Sequence, residues 1–110
     1  LVGFQGELMC FVHVLLNALD YFQKGYDVKI VIEGSATALI KELVKKENPF
    51  HELYCNVKKS NLIDCVCMAC SAKMGVLEDI KKEELPLNNE MSGHPPLSNY
   101  SQSNYQIITF

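Results

Sequence analysis

Asn61–Gly75, NLIDCVCMACSAKMG, runs from a strand into a helix with no loop between them. Asn61 to Val66 has the β-branched and apolar character of a buried strand. Ala69 to Met74 has helical character, and Gly75 ends it. Such a junction puts Cys67 at the carboxyl end of a strand and just ahead of a helix N-terminus. Backbone N–H groups and the helix dipole favour a thiolate there, so Cys67 is predicted to be a partly exposed nucleophile. Cys70 lies one helical turn on and is placed to act as a second, resolving thiol. Cys65, two residues before Cys67, shares its strand face and reads as a wall of the core.

Upstream, Leu1 to Phe4 reads as a short strand already in progress, so a few residues are expected to precede Leu1. Leu8, Phe11, Val12, Leu15, Leu16, Leu19 and Phe22 then fall on one helical stripe, opposite His13, Asn17, Asp20 and Lys24, with Gly25 as the stop. Asp27 to Glu33, DVKIVIE, reads as a second strand. Ser35 is predicted to cap a helix carrying Ala36, Leu39, Ile40, Leu43 and Val44. Asn48-Pro49 opens a third helix through Val57, with Cys55 in it and no partner in the local sequence.

Downstream of Gly75, Val76 to Leu85 is predicted helical and Pro86 to Met91 a short strand. Ser92 to Pro96 is a turn, a short helix runs through Tyr100, and Tyr105 to Phe110, YQIITF, closes as a strand. Strands alternating with helices predict one α/β domain over residues 1–110. Its architecture is a three-layer α/β/α sandwich with a mostly parallel sheet of about five strands, flavodoxin- or Rossmann-like in appearance.

Composition narrows the function. The net charge is −3 and the ten basic residues are interleaved with acids, as in KELVKKE, so no basic stripe tracks nucleic acid. No apolar run approaches the roughly 20 residues of a membrane span, and no signal peptide is visible. Five cysteines, an odd number among strong helix and strand patterns, point to a reducing cytoplasm rather than a disulfide scaffold. No P-loop, dinucleotide fingerprint or Gly-x-Ser-x-Gly elbow appears, and no cofactor is implied. Cys67-Met68-Ala69-Cys70 follows the third predicted strand, which does not fit a thioredoxin fold.

Ligands of parallel sheets bind beyond the carboxyl ends of the strands. That gathers Gln5-Gly6-Glu7, Gly34-Ser35-Ala36, the Cys67–Cys70 turn and the Gly93-His94-Pro95 turn. His94, stiffened by two prolines, is a pocket candidate. Glu7 reads first as the cap of the first helix and second as a pocket carboxylate. Cys10 and His13, at i and i+3 on the first helix, are able to face one site. Cys65, Cys67 and Cys70 with Cys10 or a histidine would offer a soft metal its ligands, although the second Cys-x-x-Cys pair of most structural zinc sites is absent. The residues leave three readings open: thiol or sulfur chemistry at Cys67, a metal- or small-ligand-binding module, and a structural or regulatory oligomer with packed cysteines.

The chain resembles the DsrE/DsrF-like proteins, the superfamily that includes the TusD sulfur-relay subunits. Cys67 and Gly75, eight residues apart in CMACSAKMG, hold the spacing of that family's strand-end cysteine and helix-closing glycine. The closing YQIITF is similar to its last strand. FQGELMCFVHVLLNALDYFQKGYDVKIVIEG and Gly93-His94-Pro95-Pro96-Leu97-Ser98 resemble a small cytoplasmic branch. The resemblance implies a homotrimer or hexamer, a sulfur-relay partner protein, and sulfur carried as a persulfide on Cys67. Cys65, Cys70 and Cys10 are additions to the TusD pattern, and a thiol one turn from Cys67 would turn a persulfide into a disulfide and release sulfide.

Overall fold

Apolar strands too short to stand alone are stabilised here by helices laid across them. The structure, a computed structural model, describes residues 1–110. The chain runs β1 (Val2–Gly3), α1 (Leu8–Gln23), β2 (Ile30–Ile32), a 3-10 turn at Gly34–Ala38, α2 (Leu39–Leu43) and α3 (His51–Lys59). It continues through β3 (Ile63–Cys67), α4 (Met68–Lys73), α5 (Leu77–Lys82), β4 (Leu87–Asn88) and α6 (Ser98–Gln102). It is an α/β fold with a parallel four-stranded sheet in the order β1-β2-β3-β4.

That order dictates where the helices go. Each strand lies on the same side of the one before it, so three successive right-handed crossovers carry their helices over one face. Phe11, Val14, Leu15 and Ala18 of α1, Ile40 of α2, Val57 of α3 and Ile80 of α5 accordingly share one core with Ile30, Ile32 and Val66. The chain leaving β4 returns the other way, to the far side of β1, and so crosses the opposite face. There Leu97, Tyr100 and Ile107 pack on Val2, Val31 and Cys65.

The closing segment meets β1 by a single parallel bridge, Val2 with Thr109, rather than as a full strand. The Val2 N–H donates to Ile108 O at 2.8 Å and the Phe110 N–H to Val2 O at 2.8 Å. The Phe4 N–H adds one more bond, to Phe110 O at 3.0 Å, and with β1 only two residues long the pairing stays at this single bridge. The sheet therefore counts four strands where about five were expected.

Other differences have local causes. Helix α1 is rotated from its predicted stripe. Val14 and Ala18 are buried, while Leu16 and Phe22 stay 48% and 47% exposed. The helix lies close on the sheet at Gly3 of β1, where an added Cβ would stand 2.8 Å from the Phe11 ring and 3.6 Å from Val14, a fit the helix sequence alone does not reveal. Asn61 is not the start of β3. It sits at φ +55°, the left-handed position that ends a helix. Ser35 does not cap, because the chain enters a 3-10 turn and its hydroxyl donates to Phe4 O at 3.4 Å. Asn48 does satisfy an amide ahead of α3, accepting from the Phe50 N–H at 2.9 Å.

Candidate functional site

Cys67 is both the last residue of β3 and the residue that caps α4. Its carbonyl accepts the Ser71 hydroxyl at 2.7 Å, and its Sγ accepts the Cys70 N–H at 3.3 Å. Ser71 is fully buried, so this one bond locks the strand–helix corner. Across the sheet Cys67 pairs with Asn88 of β4. Beyond Asn88 the chain folds into a tight turn. Met91 and His94 bridge each other through two 2.9 Å backbone bonds, and the Gly93 N–H donates to Asn89 O at 3.0 Å.

That turn is laid over the start of α4. Gly93 O accepts the Ala69 N–H at 2.9 Å, one of the amides that a helix N-terminus leaves without an internal partner. The position requires glycine on two counts. Its φ is +96°, and an added Cβ would stand 2.9 Å from Ala69 Cβ. The next residue, His94, is thereby aimed at the sulfurs. Its Nδ1 lies 3.1 Å from Cys67 Sγ and 3.6 Å from Cys70 Sγ. All three ligand atoms lie within 4.8 Å of one another.

Topology explains the meeting. The connection leaving β3 crosses one face of the sheet and the connection leaving β4 crosses the other, so the carboxyl ends of these two strands mark a topological switch point. This switch point is where parallel sheets bind ligands.

The electrostatics correct one expectation. Cys67 is 0% exposed, and burial, with the Cys70 side chain beside it, pushes its thiol up to about 12. The Cys70 N–H pulls the other way, but α4 has only six residues and one amide does not outweigh desolvation. Resting Cys67 is a shielded thiol, not a partly exposed thiolate. Cys70 and His94 are half-buried and form the open side of the cluster.

The remaining candidates lie elsewhere. Cys65 is buried, with its Sγ 3.4 Å from the Tyr100 hydroxyl, and burial raises its thiol. Tyr100 also donates to Asp64 at 2.6 Å, and Asp64 pairs with Lys29 at 3.0 Å, which pins α6 to the sheet. Glu7 caps α1, accepting from the Met9 and Cys10 N–H groups at 3.1 and 2.8 Å. Those bonds hold its carboxyl below the usual range, and Glu7 in turn raises the thiol of exposed Cys10. Neither Glu7, Cys10 nor Cys65 belongs to the cluster of Cys67, Cys70 and His94. His13 is exposed on α1.

Sequence reasoning passed over Glu33, which follows β2 and is only 9% exposed. Burial raises its carboxyl, and the charge of His94 pulls it back down. A carboxylate directly before Gly34-Ser35, at the end of the apolar strand KIVI, was the available signal.

The chain is 35% identical over 104 residues to an uncharacterized protein of Methanocaldococcus jannaschii, MJ0733, an alignment covering 94% of this chain and 83% of that protein. The chain belongs to one family with that archaeal protein. No family model and no solved structure matches it. No helix of this family member is long and apolar enough to cross a membrane.

Proposed function

We propose that the chain is a DsrE-like cytoplasmic protein that carries sulfane sulfur on the Cys67–Cys70 pair, with His94 moving the proton. The observation behind this reading is the convergence of both sulfurs on His94 Nδ1, at 3.1 and 3.6 Å. We assign the receiving role to Cys70, because burial holds Cys67 as a thiol out of a donor's reach. The Cys70 thiol gives its proton to His94, and its sulfur attacks the outer sulfur of a donor persulfide. A Cys70 persulfide forms and the donor leaves as a thiolate. An acceptor thiolate then takes the outer sulfur and leaves Cys70 as it began. Without an acceptor, Cys67 attacks the inner sulfur, a Cys67–Cys70 disulfide forms and hydrosulfide departs. An external thiol reductant restores the pair.

In this reading the segment 107–110 is the fifth strand and α6 the beginning of a third layer. The DsrE-like resemblance also supports a homotrimer or hexamer and a sulfur-relay acceptor protein. Met9 and Leu16, exposed on one stripe of α1, supply apolar surface for self-association. Incubation with polysulfide followed by peptide mass analysis tests the chemistry. The Cys67→Ser variant should gain one sulfur atom on Cys70, and the unmodified chain should yield the Cys67–Cys70 disulfide and free sulfide. Neither product, with Cys70 open to alkylation, overturns the reading.

A second reading is favoured by one observation: three soft ligand atoms within 4.8 Å. Cys67, Cys70 and His94 match a Cys-Cys-His zinc set with its fourth position open. Binding would release the thiol protons, against the burial that favours the Cys67 thiol. Stoichiometric zinc after chelator-free purification, lost in Cys70→Ser, would replace the first reading. Protein that takes up no zinc removes the second.

A further inference from the structure

Glu33 is a buried acid that the thiol chemistry leaves unused. Strands β2 and β3 run side by side in parallel, with Val31 beside Cys65 and Ile32 beside Val66. The next step of that register sets Glu33 beside Cys67. Glu33 stays extended, and its N–H donates to Gly3 O at 2.9 Å, so the ladder with β1 still holds at this residue. Side by side on paired strands, two residues stand about 5 Å apart. Val31 packs on the face crossed by α6, and Glu33, two residues on, returns to that face. Its charge accordingly acts on Cys67, Cys65 and His94.

A buried carboxylate is ordinarily held by a cation or by several N–H groups. Glu33 is only 9% exposed, takes part in none of the chain's ion pairs and has no hydrogen bond to its carboxyl. No sealed polar side-chain atom in the chain lacks a partner, so the unpartnered Glu33 oxygens keep a window to solvent. The other fixed charges felt at the sulfurs, Asp64 and Glu90, are negative as well. Lys29 is taken up by Asp64 at 3.0 Å. When Cys70 gives its proton to His94, thiolate and imidazolium cancel, and Glu33 leaves the corner with one net negative charge. Shielded from water, that charge is felt by whatever approaches Cys70.

We propose that Glu33 selects the sulfur donor by charge: the site draws on a persulfide carried beside a cationic group, a primary ammonium above all, and disfavours anionic sulfane donors. This rests on Cys70 as the receiving thiol. The Cys70 sulfur attacks the outer sulfur of the persulfide and the S–S bond breaks. One sulfur stays on Cys70, and the donor leaves as a thiolate that takes the proton held by His94, so no further reactant enters. Glu33 touches no reacting bond. It is a specificity residue, acting on the tail of the donor as it docks.

The test uses three persulfides that differ only in the charge of their tails: 2-aminoethyl, 2-hydroxyethyl and 2-carboxyethyl. They are offered to the folded Cys67→Ser chain, in which the sulfur stays on Cys70. Each rate, read by acid quench and peptide mass mapping, is divided by that of the same donor with the neutral thiol mercaptoethanol. Cys70 should favour the aminoethyl over the carboxyethyl donor by about tenfold or more. Glu33→Gln should bring the two rates together, Glu33→Asp should keep the preference, and the surface substitution Glu90→Gln should leave it in place. Equal rates from all three donors, or a preference untouched by Glu33→Gln, overturns this inference while the sulfur reading stands. No sulfur from any donor overturns both. If Glu33→Gln does not fold, Glu90→Gln decides: a preference that survives it upholds Glu33, and one that vanishes with Glu90 overturns the assignment.

Discussion

The state of Cys67 is open to direct measurement. Burial moves its thiol from the ordinary 9.0 to about 12, so at pH 8 its thiolate fraction falls about a thousandfold. Exposure acts in the same direction, since Cys67 is 0% exposed and a reagent must wait for the turn bearing His94 to open. The folded chain, alkylated with iodoacetamide at pH 8, should therefore modify Cys67 at least about a thousandfold more slowly than the chain unfolded in guanidinium does. The comparison uses one residue and one reagent, so intrinsic thiol reactivity cancels. Isotopically distinct labels, applied before and after unfolding, give the two rates by mass spectrometry. The folded rate should also climb about tenfold per pH unit and not level off below about pH 12. A folded rate within about tenfold of the unfolded one, or a plateau near pH 7, would refute the argument from burial. It would mean that the Cys70 N–H or a charged His94 holds Cys67 as a thiolate.

Three further outcomes follow from the same geometry. Gly93→Ala should cost about 1–3 kcal/mol in urea unfolding, from φ +96° and the Ala69 clash. It should also lower sulfur uptake at Cys70 by moving His94, and unchanged uptake would separate the turn from the chemistry. Ser71→Ala should cost about 1–2 kcal/mol by deleting the buried 2.7 Å bond to Cys67 O; an equally stable variant would show that this bond does not hold the corner. Stability should fall as pH rises above 9.0, because the unfolded Cys67 thiol loses its proton there while the folded one keeps it until about 12. Buried Cys65 adds to the fall, and Tyr54 and Tyr100, also raised by burial, extend it at higher pH. Thermal scans should show a shallower decline for Cys67→Ser, and an identical slope would contradict the assignment.

The alternation of strands and helices was legible because each element carries its own period. Asp27–Glu33 and Asn61–Val66 read as strands, and Leu8–Lys24 as a helix, from local composition alone. Element ends were less legible. Asn61 looks like strand by its neighbours, yet the close of α3 needs a residue in the left-handed region, and asparagine tolerates it. The rotation of α1 was hidden for a different reason. Which stripe faces the sheet depends on what the sheet offers it, and Gly3 of β1, bare where Phe11 and Val14 come in, is a contact between distant residues.

At the cysteines the division is sharper. The sequence by itself determined that Cys67 ends a strand and that Cys70 lies one turn on. Those relations are set by the repeat of a strand and a helix, which are local. Only the tertiary structure decided that His94, 27 residues away, meets both sulfurs, because that depends on β4 pairing with β3 and on the chain then changing faces. It also decided the charge state. A helix N-terminus alone argues for a thiolate, but the layers packed around Cys67 remove water, and desolvation outweighs one amide.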